Sequence, residues 1–145
     1  MNTVWDKARI CSYITGKIEE SVNLDYKAAG ALAKEQKKTT EITKDVSSFA
    51  NSGGGVIIYG VRQFDAKNLS HLPEKIDPID RREFNKEWLE HIISTIQPRP
   101  NVIIHSVQLS SAPDHVVYVV EVAAGRTAHQ ANDCRYYKSL FENSK

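Results

Sequence analysis

Residues 46–61, VSSFANSGGGVIIYGV, constrain the fold more than any other stretch of the chain. Ile42, Val46, Phe49 and Ala50 recur at i, i+4, i+7 and i+8, the apolar stripe of a helix over about residues 39–50. Asn51-Ser52-Gly53-Gly54-Gly55 stops it. Val56 to Val61 then forms a β-branched run without alternation, the pattern of a strand buried on both faces. A helix that passes through glycines into a buried strand calls for a layered structure, helix on sheet. The order also excludes a nucleotide-binding phosphate loop. Such loops run strand, glycines, helix, so that a positive helix N-terminus meets the anion. Here the glycines follow a helix C-terminus, whose partial charge is negative. They are expected to supply left-handed backbone at the helix stop and close approach of the chain entering the strand.

Other periodicities fill in the rest. Val4, Ala8, Cys11, Ile14 and Ile18 predict a first helix over about 3–16, ended by Gly16. Val22, Leu24 and Tyr26 alternate with Asn23, Asp25 and Lys27, as in a strand. Residues 28–38 are small and polar and read as a flexible connection. Residues 62–79, with Pro73 and Pro78, read as a surface loop or lid. Asp80 with Glu83 predicts the capped start of a helix bearing the stripe Phe84, Trp88, Ile92 and Ile96, ended by Pro98 and Pro100. Residues 102–109 and 115–122 predict an antiparallel hairpin, and about 134–138 a last short strand. The order α-β-α-β-α-β-β-β defines an α/β (α+β) fold, a mixed β-sheet with helices packed on it, expected as one domain over 1–145.

Several function classes lose support. With 145 residues, 41% hydrophobic and 26% charged, the chain can bury one core and reads as globular. No apolar run approaches the roughly 18–20 residues of a membrane span. No basic segment followed by an apolar stretch marks a signal peptide. Cys11 and Cys134 make neither a disulfide framework nor a zinc motif, so a reducing cytoplasm is the expected compartment. The five histidines lack metal-ligand spacing and no Gly-x-Ser-x-Gly elbow is present, which leaves zinc-enzyme and serine-hydrolase readings unsupported. A net charge of +1 excludes coating of nucleic acid by bulk charge. Local patches persist. Lys27, Lys34, Lys37, Lys38 and Lys44 face only Glu35 and Glu41, and Arg126, Arg135 and Lys138 face only Asp133.

Two segments carry candidate chemistry. Glu20 precedes the strand on which Asp25 and Lys27, two residues apart, share a face. Two carboxylates converging there could hold a divalent cation, Mg²⁺ or Mn²⁺, and Lys27 could steady phosphate charge. The alternative is a solvated strand face with a local Asp–Lys pair, worth about 0.5 kcal/mol. Farther along, His129, Arg135, Tyr136, Tyr137 and Lys138 interleave cations and aromatics. Arg and Lys can contact phosphates and Tyr can stack on unpaired bases. In a strand the two tyrosines would point to opposite faces, one of them into the core.

These segments together resemble the Schlafen AlbA_2 domain, found in Schlafen proteins and in bacterial proteins of DNA-binding or transcriptional-regulator type. The resemblance rests on Glu20…Leu24-Asp25-Tyr26-Lys27, on the glycine-centred signature of residues 46–61, and on Ala128-His129-Gln130…Arg135-Tyr136-Tyr137-Lys138. It implies nucleic acid, RNA or DNA, as partner, with a homodimer left open and no membrane. Candidate contacts are Lys37, Lys38, His129, Arg135, Tyr136 and Lys138. In Schlafen nucleases it further implies metal-dependent cleavage of structured RNA by three carboxylates. Glu20 and Asp25 match two of these, with Lys27 beside them. Gln63 stands near the expected third, and Asp65 is displaced from it. Three expectations follow: a nucleic-acid-binding module within a longer regulator, a metal-dependent endoribonuclease using Glu20, Asp25, Lys27 and Asp65, or a degenerate domain that binds a partner.

Overall fold

The computed structural model describes residues 4–109, 112–125 and 128–137, with the side chains of Ala112 and Pro113 outside the description. Asp6 opens α1 (Lys7–Thr15) by accepting the Arg9 N–H, and Gly16 closes it with its own N–H on Ser12 O. β1 (Leu24–Lys27) leads through a single 3₁₀ turn into α2 (Gln36–Ala50). There follow β2 (Gly55–Tyr59), β3 (Val61–Gln63), β4 (Pro73–Ile76) and β5 (Ile79–Asp80), then α3 (Lys86–Ile93), β6 (Val102–Leu109) and β7 (Ala112–Val122).

β2 sits inside the sheet, parallel to β1 and antiparallel to β7. β7 pairs with β6 along one edge, and with β2 and then β5 along the other. The result is a mixed sheet covered on both faces. Under α2 and α3, Ile42, Val46, Leu89 and Ile93 belong to one buried cluster with Ile57, Tyr118 and Val120. Under α1, Trp5 and Ile10 pack with Tyr26, Ile58, Val117 and Val119. The double burial expected of the glycine-preceded run follows from its place between two strands and two helical layers.

Two glycines earn their positions sterically. Gly54 has φ +85°, donates its N–H to Phe49 O at the end of α2, and would set a Cβ 2.6 Å from Val122 O. Gly60, at φ +110°, ends β2, so that Val61 leaves for a second, two-stranded sheet of β3 and β4. The run from 56 to 61 is therefore not one strand but two, bent at Gly60.

Five other expectations change. Helix α2 begins at Gln36 and absorbs part of the stretch read as a connection. The span 62–79 carries the rest of β3, with β4 and the start of β5, strands too short to show a period, and Pro73 takes the first position of β4, where its missing N–H is tolerated. Asp80 is held in β5 opposite His115, so Asn85 caps α3 through the Trp88 N–H, and Leu89 and Ile93 are the buried face, with Phe84, Trp88 and Ile92 flanking. In α1, Ala8 is exposed and Val4 is 62% exposed, and Ile10 is the residue fully buried. The hairpin expected over 102–122 is present as the antiparallel pair β6–β7, and residues 110–111 between them lie outside the description. Residues 134–137 form no strand, and Gln130 makes isolated bridges to Gln97 and Tyr136 instead.

Candidate functional site

The site lies where edge strand β1 meets α2. Asp25 and Lys27 point to the α2 face, beside Ile57 and Tyr59 in register. The Lys27 ammonium stands 3.5 Å from Asp25 Oδ2 and 3.5 Å from Asp45 Oδ2 on α2. Glu20 enters from the turn before β1. Its Oε2 accepts the Tyr26 N–H at 3.1 Å and its Oε1 lies 3.3 Å from His71 Nδ1. These groups line a pocket of about 450 Å³, completed by Gln63 at the end of β3 and by Lys44, Phe49 and Tyr137.

The electrostatics separate the two acids of the Glu20–Asp25 pair. Burial pushes the Asp25 carboxyl up to about 8, and its hydrogen bond with Glu20 adds to this, against the pull of Lys27. Burial works to raise Glu20 as well, but hydrogen bonds from Asp25 and the Tyr26 N–H outweigh it, and Glu20 lies below its ordinary value. The pair thus keeps one proton at neutral pH, on Asp25, because burial, and then the hydrogen bond with Glu20, disfavours a second charge there. Lys27 is disfavoured as a cation by burial, yet Asp45 and Asp25 raise it, so it stays charged. Beneath them the Tyr59 hydroxyl is fully buried without a hydrogen-bond partner among the described residues, and burial together with the charges of Asp45 and Asp25 holds its proton on.

The loop of residues 128–137 closes one side. Asn51, first residue past α2, uses its whole amide on it. Its Oδ1 accepts the His129 N–H at 2.7 Å, and its Nδ2 donates to His129 O at 2.9 Å and Tyr137 O at 2.8 Å. Thr43 Oγ1 accepts the Asn132 N–H at 3.3 Å. This places Tyr137 in the pocket wall, its hydroxyl donating to Asp133 at 2.6 Å and the Lys44 ammonium 5.3 Å from its ring centre.

Of the residues singled out from sequence, Glu20, Asp25 and Lys27 come together. Asp65 does not join them: it is 89% exposed and paired with Arg62 at 3.0 Å, while Gln63 faces the pocket. His129 is only 5% exposed, its Nδ1 against Pro98 O, which makes it part of the loop's anchorage. Lys37 is exposed and Lys38 half-buried in the first turns of α2, and Arg135 and Tyr136 are exposed. Neither loop tyrosine is in the core, since Tyr136 is 63% exposed and Tyr137 is half-buried. Lys138 lies outside the described residues. Sequence reasoning missed Asp45, although an acid set between Ile42, Val46 and Phe49 on the inward side of a helix is itself a signal.

Among the described residues no group of three or more His, Cys, Asp or Glu side chains is arranged to hold a metal ion. Gln63 contributes a neutral amide where a third carboxylate would be needed. The donor set therefore does not fit a three-carboxylate cation centre. Among the same residues no helix is long and apolar enough to cross a membrane.

A mixed sheet covered by helices, with a polar pocket at its parallel edge, is the architecture of a small α/β domain. The sequence matches the family described as Schlafen, AlbA_2 over residues 20–143, and the chain belongs to that family. No curated protein sequence is similar enough to count as a relative. Two solved structures share the fold. The DIP2311 protein from Corynebacterium diphtheriae is 18% identical with a TM-score of 0.54, over 89% of this chain and 24% of that one. The N-terminal domain of a RecG-related protein from Nitrosomonas europaea is 15% identical with a TM-score of 0.57, over 83% of this chain and 74% of that one. The chain thus spans about a quarter of the Corynebacterium protein.

Proposed function

We propose that the chain is a nucleic-acid-binding domain that engages the phosphate backbone along α2 and does not cleave it. The observation that carries this reading is the stripe of α2 beside the pocket. Glu41, Lys44, Asp45 and Ser48 all line the pocket, and Lys37 falls on the same stripe one turn earlier. Lys37 and Lys44 alternate there with Glu41 and Asp45, so the approach to the pocket that holds Lys27 offers two cations to a backbone phosphate without a net positive charge. Membership of a family linked to nucleic-acid interaction supports it. Absence of cleavage follows from Gln63, because a two-carboxylate site with one proton on Asp25 offers too little negative charge to hold the divalent cation that would neutralise a scissile phosphate.

The test is a titration with duplex DNA, single strands and structured RNA at two salt concentrations. Lys37→Ala/Lys38→Ala/Arg135→Ala should weaken binding about equally across sequences. Each lost phosphate contact lowers the log–log salt slope by roughly 0.7–0.9. Unchanged affinity and slope would remove those residues, and no binding by the native chain would remove the function. The Glu20, Asp25 and Lys27 constellation favours a second reading, a metal-dependent ribonuclease. Incubating labelled tRNA with the native chain, Gln63→Asp and Asp25→Ala in Mg²⁺ or Mn²⁺ separates the two. Native cleavage abolished by Asp25→Ala would establish the nuclease.

A further inference from the structure

We propose that the pocket between β1 and α2 is a subsite for one unpaired nucleobase, so that the chain prefers single-stranded or looped nucleic acid to duplex. This rests on the nucleic-acid-binding reading above and names its substrate class.

The pocket volume, about 450 Å³, falls in the range of sites that enclose a small ligand, and a paired base inside a helix cannot enter such a space. Its walls are of three kinds. Tyr137 and Phe49 supply flat apolar surface. Tyr137 is held twice, its ring hydroxyl donating to Asp133 and its backbone carbonyl accepting from Asn51 Nδ2. A ring fixed in advance loses little freedom when a base stacks on it. Glu20 and Asp25 supply edge-reading oxygens. Gln63 adds a further group: its amide lies close enough to favour the charged form of Glu20, yet among the described residues its buried Nε2 meets no acceptor in good geometry. A base edge carrying a carbonyl or ring-nitrogen acceptor would satisfy it. At the rim, Lys44 lies over the Tyr137 ring. A base entering the pocket replaces that cation–ring contact with a base–ring contact and frees the ammonium for the adjoining phosphate. No covalent step is involved.

The acidic walls discriminate as well. With Asp25 protonated, Glu20, Asp45 and Glu41 still outnumber Lys27 and Lys44 among the pocket's charged groups. A phosphate is repelled from the interior and held at the rim, whereas a base, uncharged and bearing donors, is admitted.

The measurement is anisotropy of a labelled mixed-sequence strand of ~12 nucleotides, as DNA and as RNA, against its own duplex. The single strand should bind ~10-fold tighter than the duplex. Tyr137→Ala should lose ~10-fold on the single strand, about the worth of one stacked base, and leave the duplex unchanged. Tyr137→Phe, which keeps the ring and loses only the Asp133 bond, should stay within ~3-fold of native. Tighter binding of duplex, an equal loss on both forms, or no effect of Tyr137→Ala would overturn the subsite while leaving the nucleic-acid function standing. Failure of every nucleic acid to bind the native chain would overturn both.

Discussion

On the face of the sheet beneath α2, adjacent strands carry opposite chemistry. β2 and β7 present Ile57, Val120 and Tyr118 to Ile42, Val46 and Leu89, all buried in one apolar cluster. One strand farther out, β1 presents Asp25 and Lys27 to Asp45 of the same helix. The two buried tyrosines mark the boundary. Tyr59 and Tyr118 are register partners on β2 and β7. The Tyr118 hydroxyl donates to Phe84 O at 2.7 Å, while the Tyr59 hydroxyl has no partner among the described residues and lies in the field of Asp45 and Asp25. Charge is tolerated at the edge because the layer opens there onto a pocket that water can reach. Toward the centre the same charge would have neither partner nor solvent. The region that carries polar chemistry is thus the region where the core is incomplete.

Shifting the charge inward by one strand breaks the contrast most severely. Ile57 is fully buried and is the register partner of Asp25. Ile57→Asp places an unpaired carboxyl in the apolar cluster and should cost about 4 kcal/mol or more, measured by urea unfolding. A cost below about 1 kcal/mol would mean that the pocket extends over β2.

Removing the charge at the edge has the opposite sign. Asp25, raised to about 8 by burial and by Glu20, holds a proton in the folded state that the unfolded chain releases near the ordinary carboxyl value of 3.8. Its contribution therefore makes stability fall as pH rises from about 4 to about 8. Glu20, lowered, contributes stability that is lost in acid, as pH falls below its ordinary value of 4.5. Asp25→Asn should flatten the neutral limb and raise Tm at pH 8 by roughly 5 °C. A thermal melt series from pH 4 to 9 checks this, and an unchanged slope would show that Asp25 is ionised throughout.

The tyrosine pair gives the smallest and sharpest difference. Tyr118→Phe removes a hydrogen bond and leaves Phe84 O without that donor, at a cost of about 1 kcal/mol. Tyr59→Phe removes a buried hydroxyl that bonds to nothing, and should lie within about 0.5 kcal/mol of native or be slightly stabilising. Equal costs for both would assign Tyr59 a partner within the acidic cluster.

Local sequence determined the units of this fold. The stripe ending in glycines fixed α2 and β2, because helical and strand periods are set by neighbours in the chain and Gly54 supplies a backbone that other residues resist. The alternation at Leu24–Lys27 placed Asp25 and Lys27 on one face before any packing was known. The site itself was legible only in part. Asp45 and Lys27 are eighteen positions apart, and neither residue's surroundings announce the other. Asn51 reads as a helix stop, but its amide anchors a loop nearly eighty residues onward. His129 and Tyr137 read as surface chemistry until that anchorage buries one and turns the other into a pocket wall. Periodicity reports which side of an element is apolar. Which charged side chains meet across elements is decided by how α2, β1 and the closing loop pack, and only the tertiary structure contains that.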